Sequence, residues 1–125
     1  MTPAPMVEVG PSAGATAERA FASTELLRHT WRTASGRTMQ VVLRLSWSAA
    51  AGEAAAAHEQ VRHHWPAASQ RARQLLESAD LCSEAGTLQC EEQLRVEMTR
   101  ELFPRRPGVS GAEVERVVWR RLLWS

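Results

Sequence analysis

Val114-Glu-Arg-Val-Val-Trp-Arg-Arg-Leu-Leu-Trp124 is the stretch on which the fold turns. With a period of two, Val118, Arg120, Leu122 and Trp124 alternate with Val117, Trp119, Arg121 and Leu123, and β-formers dominate. With a helical period, Val114, Val117, Val118 and Leu122 make one stripe. Ser110-Gly-Ala-Glu113 is spaced as a capping box ahead of it. Local patterning leaves both readings open, and the cap tilts the balance toward helix.

Upstream, the pattern is easier to read. Residues 38–47, TMQVVLRLSW, set Met39, Val41, Leu43, Leu45 and Trp47 against Gln40, Val42, Arg44 and Ser46. That alternation makes a strand with one apolar face. Residues 24–33 read as a second strand, with Leu27, His29 and Trp31 on one side. Ala34-Ser-Gly-Arg37 between them is a turn in which Gly36 supplies a positive φ. The two segments are expected to form a hairpin.

Residues 53–79 read as helix. Val61, Trp65, Ala68, Ala72, Leu75 and Ala79 recur at steps of three and four, as a core-facing stripe does. Pro66 is expected either to kink this helix at Trp65 or to open a second one. Residues 80–87 connect to a helix over 87–103, with Thr87 as its N-cap and Cys90, Leu94, Met98 and Leu102 as its buried stripe. Pro104 and Pro107-Gly108 stop it.

The chain has 125 residues, the size of one domain. Its formal net charge is +1, which does not favour a nucleic-acid partner. Every side-chain cation other than histidine is arginine; Lys, Tyr, Ile and Asn are absent. Lysine Schiff-base chemistry is therefore excluded. No stretch has the ~18 apolar residues of a membrane helix. Residues 1–20, rich in Pro and Gly, read as a flexible leader or linker, without the basic start and apolar run of a secretory signal. An upstream anchor outside this sequence stays open.

Chemical motifs are sparse. There is no G-x-S-x-G, P-loop, H-E-x-x-H or dinucleotide turn, so no enzyme, catalytic residue or cofactor is expected. His58, His63 and His64 lack the i, i+4 spacing of helical zinc ligands, so no metal is expected. Cys82 and Cys90 fit no redox or zinc pattern; Cys90 reads as a buried thiol, and a bridge to Cys82 is left open. Five tryptophans stand out, with Trp47, Trp65 and Trp124 assigned to core faces. Arg105, Arg106, Trp119, Arg120 and Arg121 form the candidate interaction set, because Trp and Arg are favoured at interfaces. Arg120→Glu combined with Arg121→Glu is expected to spare the fold and weaken assembly.

Four stretches, taken in order, carry a resemblance. They are Trp65-Pro-Ala-Ala-Ser-Gln-Arg-Ala-Arg-Gln-Leu-Leu76, Asp80-Leu-Cys-Ser-Glu-Ala-Gly86, Glu92-Gln-Leu-Arg-Val-Glu-Met98 and Val117–Ser125. Together they resemble the periplasmic domain of the flagellar basal-body protein FliL family, over about residues 24–125. The resemblance implies an α+β fold similar to the stomatin-like (SPFH-type) domain. That fold has a small antiparallel or mixed sheet of about three strands, packed by two amphipathic helices and closed by a terminal strand. It also implies a non-enzymatic accessory protein that self-associates and contacts stator or motor proteins, on the periplasmic side of the inner membrane. The family's N-terminal membrane helix is missing from this sequence. The alternative is a small cytoplasmic helical regulator or adaptor, with Val114–Trp124 helical.

Overall fold

The computed structural model describes residues 18–104 and 111–125. Its elements run β1 (Arg19–Ser23), β2 (Leu27–Arg32), β3 (Thr38–Ala50), a 3₁₀ turn (Ala51–Glu53), α1 (Ala54–Ser78), α2 (Glu84–Leu102) and β4 (Glu113–Trp124). The fold is α+β: four antiparallel strands packed against two helices.

β3 organises the sheet. β2 pairs with Thr38–Leu43 and β1 with Ser46–Ala50, while β4 pairs with Thr38–Ser48. A strand has only two edges, so β1 and β2 lie end to end along one edge and β4 fills the other. At the break, the Thr24 N–H donates to Leu45 O over 2.9 Å. The Leu45 N–H donates to Thr24 Oγ1 over 3.0 Å. A side-chain hydroxyl thus stands in for a missing backbone carbonyl and keeps a buried donor satisfied. β1 was not anticipated: Arg19 and Ala20, assigned to the leader, are its first residues. Its apolar content is one Phe and two Ala, too weak a pattern to read alone. The β2–β3 turn is as expected, with Gly36 at φ 83°.

β4 corrects the local lean toward helix. Its pairing with β3 satisfies the backbone groups along its inner edge, and tertiary pairing outweighs a capping signal worth about 1 kcal/mol. The helical alternative for Val114–Trp124 is thereby lost. Between Ser46 and Trp47 the register shifts, because Val114 faces Trp47 while Arg116 faces Ser46. Glu115 is the extra residue of a bulge.

α1 runs unbroken through Pro66, so neither a second start nor an interruption occurs there. α2 begins three residues earlier than expected. Ser83, not Thr87, is its N-cap, with Ser83 Oγ accepting from the Gly86 N–H over 3.0 Å. Thr87 is buried in the first turn and donates its hydroxyl to Ser83 O over 2.8 Å. The predicted stripe Cys90, Leu94, Met98 and Leu102 is buried, as are Ala68, Ala72 and Leu75 of α1.

The core lies between one sheet face and both helices, with α2 over β4 and α1 beside α2. Met39, Val41, Leu43, Leu45, Trp47 and Ala49 of β3 are all buried. Each large side chain so buried contributes about 1.5–3 kcal/mol. Trp47 is sealed edge-on by Phe103 and His58, at centroid distances of 5.5 and 4.9 Å. Trp65 is only partly buried, and Trp124 is 44% exposed, correcting its assignment to a core face. Both cysteines are free, Cys82 exposed and Cys90 buried. Burial, with a smaller contribution from the neighbouring Glu91 charge, pushes the Cys90 thiol up to about 11. Among the described residues no helix is long and apolar enough to cross a membrane.

Candidate interaction surface

β4 gives its two faces different work. Val114 and Val117 are buried toward the helices, and Trp119 and Leu123 pack against the same core. Trp119 Nε1 donates to Glu91 Oε2 over 3.0 Å. Arg121 donates from one guanidinium nitrogen to Leu81 O (3.1 Å) and Thr87 Oγ1 (2.7 Å), and lies 5.5 Å from the Trp119 ring centroid. These contacts tie β4 to α2 and to the connection before it.

Among the described residues the opposite face is open. Val118, Leu122 and Trp124 are 45, 54 and 44% exposed on it. The register sets Arg44 opposite Val118, and Val42 between Arg28 and Arg120. Gln40 lies between Thr30 and Leu122, Thr38 between Arg32 and Trp124, and Ser46 between Ser23 and Arg116. Arg28, Arg32, Arg44, Arg116 and Arg120 therefore share this face with Val42, Val118, Leu122 and Trp124, and Arg19 and the exposed Phe21 lie on it at the β1 end. None of Arg28, Arg32, Arg44, Arg116 and Arg120 makes an ion pair among the described residues.

Among the residues of the four strands, carboxylates stand on this face at its β1 end. There Arg19 lies 4.0 Å from Glu113 and donates to Ser48 Oγ over 2.7 Å, while Ser48 donates to Glu115. On the helices three glutamates are paired with arginines, while Arg71 and Arg73 bond only neutral side chains. Arg62 and Arg95, by hydrogen bond, hold the Glu59 and Glu92 carboxyls below the usual range. Arg100 pairs with Glu97.

The sequence-derived set is thus divided. Arg120 sits on the open face, whereas Trp119 and Arg121 sit on the helix side and are engaged there. Arg105 and Arg106 lie outside the described residues. Arg120 and Arg121 are consequently not equivalent, and a double reversal would strike the fold as well as the surface. Arg28, Arg32, Arg44 and Arg116 were not singled out, although the alternation of β3 had already placed Arg44 on its polar side. Only the register reveals that they meet.

Other polar groups are paired for local reasons. His29, with no partner evident in sequence, stacks on Trp31 and lies 2.6 Å from Glu77. His63 and His64 meet edge to face, and His58 contacts Trp47. No group of three or more His, Cys, Asp or Glu residues able to hold a metal occurs among the described residues. A groove lined by Trp31, Met39, Glu77, Asp80, Leu81 and Cys82 separates the β2–β3 turn from the α1–α2 connection.

Comparison of the chain with family models, with curated proteins and with solved structures gives no match. The class defined by the architecture itself is a two-layer α+β domain with one sheet face left uncovered by the described residues.

Proposed function

We propose that this domain works by binding protein, as a FliL-like accessory component of the flagellar basal body. In this reading it stands beside the stator on the periplasmic face of the inner membrane and supports motility without catalysing a reaction. The observation that carries the reading is β4. After two helices the chain returns as a strand along the hairpin, which is the element order the resemblance requires. The stomatin-like description of the fold belongs to the same proposal.

The outer edge of β4 has no strand partner among the described residues. Unpaired strand edges recruit further strands, so self-association through this edge forms part of the proposal. Deletion of the gene in its own cell, followed by swimming assays in viscous medium, tests the role. Reduced swimming and loss of stator units from the motor, both restored by the intact gene, are expected. Unchanged swimming with normal stator occupancy would overturn it. Light scattering of the purified chain tests self-association, and a monomer at every concentration would remove that part.

A further inference from the structure

We infer that the open sheet face is a docking surface for an acidic amphipathic helix of a partner protein, seated across β2, β3 and β4 over Val42, Val118 and Leu122. The inference rests on the protein-binding reading above and specifies the chemistry of the partner.

Like charge is concentrated where folding does not need it. Arg28 and Arg120 flank Val42 on neighbouring strands, and Arg44 lies two residues further along β3. Strands are about 4.8 Å apart, so these guanidinium groups can all converge on one bound segment. Like charges on adjacent strands repel and weaken a sheet. The helix surfaces, by contrast, balance Glu59 against Arg62, Glu92 against Arg95 and Glu97 against Arg100. A surface left uncompensated calls for compensation from outside. Carboxylates interleaved with apolar side chains answer both halves of its composition.

The dimensions suit a helix. The face is three strands wide, about 10 Å between the outer strand axes, and a helix with its side chains is about 10–12 Å across. Helices already cover the other face, and a second helical layer would complete a common architecture. A second copy of the chain does not fit this face to face, because five arginines would meet five. Single-stranded nucleic acid is disfavoured because stacking platforms use successive aromatic rings, whereas this centre is Val42, Val118 and Leu122 with Trp124 at its margin. The net charge of +1 likewise gives little long-range attraction for a polyanion.

The test uses an ~18-residue peptide, about five helical turns, with Leu on one stripe and Glu flanking it. It is titrated into the ¹⁵N-labelled chain and followed by amide shifts. A peptide with Lys in place of Glu, oligothymidylate, and phosphatidylglycerol vesicles are run in parallel. Shifts confined to β2, β3 and β4, with at least about tenfold preference for the Glu peptide over the Lys peptide, are expected. Arg44→Glu with Arg120→Glu should reduce that affinity about tenfold or more while the circular dichroism is unchanged. Should that variant misfold, Arg44→Gln with Arg120→Gln serves the same comparison. No binding of the Glu peptide, equal binding of the Lys peptide, or tighter binding of oligothymidylate or vesicles would each overturn the inference. No flagellar component enters this experiment, so its failure leaves the swimming result to stand or fall separately.

Discussion

The guanidinium of Arg121 donates to the hydroxyl of Thr87 across 2.7 Å, joining the last strand to the first turn of the second helix. Its neighbour Arg120 points to the other side of the sheet and makes no ion pair among the described residues. Two adjacent arginines therefore separate cleanly in role. Arg121→Ala is expected to lower stability by about 1–2 kcal/mol, because a charge-assisted bond and its carbonyl partner Leu81 are lost. Arg120→Ala should change stability by less than about 0.5 kcal/mol. Urea unfolding of both variants checks the contrast, and equal losses would contradict it.

Thr24 holds the seam between β1 and β2. In Thr24→Val the shape is kept, but the buried Leu45 N–H loses its acceptor. A cost of about 1–3 kcal/mol is expected, the penalty for stranding a buried donor. Thr24→Ser, which keeps the oxygen, should retain most of the stability. Thermal unfolding of the pair separates the hydroxyl from the methyl group.

Gly86 is required by close packing rather than by its backbone angles. A Cβ there would fall 2.1 Å from Asp80 O and 2.9 Å from Ser83 Oγ. Since the nearer obstacle is backbone, Gly86→Ala must displace the α1–α2 connection and disturb the Ser83 cap. A loss of about 1–3 kcal/mol is expected despite alanine's better helix propensity. An unchanged or raised melting temperature would refute this.

Cys90 gives the chain an alkaline limit. Burial pushes its folded thiol up to about 11, from an ordinary value of about 9. Below pH 9 the thiol is neutral in both states and burial is unopposed. Between 9 and 11 the unfolded chain releases its proton first, so stability falls as pH rises, by about 2–3 kcal/mol in total. With no Lys or Tyr in the sequence, few other side chains titrate in that window. Urea midpoints at pH 8 and pH 11, under reducing conditions, should differ for the parent chain and converge for Cys90→Ala.

The parts of this fold legible in the sequence are those where one side faces a core. β3 alternates strictly from Met39 to Trp47, and Cys90, Leu94, Met98 and Leu102 recur every fourth residue, so periodicity alone finds them. β1 escaped because Ala20 and Ala22 carry little signal. β4 was undecided because Ser110 and Glu113 mimic a cap while the pairing that decides the matter lies far away in sequence, on β3. The open face was invisible for the same reason. Arg28, Arg44 and Arg120 are unremarkable in their own segments, and only the pairing of three strands gathers them. Ser83 rather than Thr87 is the cap, and Thr87, one turn in, accepts from Arg121.

The seating of Val114 and Val117 at the bottom of the core also has a consequence for biosynthesis. Every strand before them can be made and the helices can begin to coil, yet one whole edge of β3 stays unpaired until Glu113–Trp124 clears the ribosomal tunnel. Nascent chains shorter than this should expose Leu43 and Leu45 alongside a bare strand margin, a form suited to chaperone capture. The decisive act of folding therefore waits on β4, when Trp124 is free to reach Thr38.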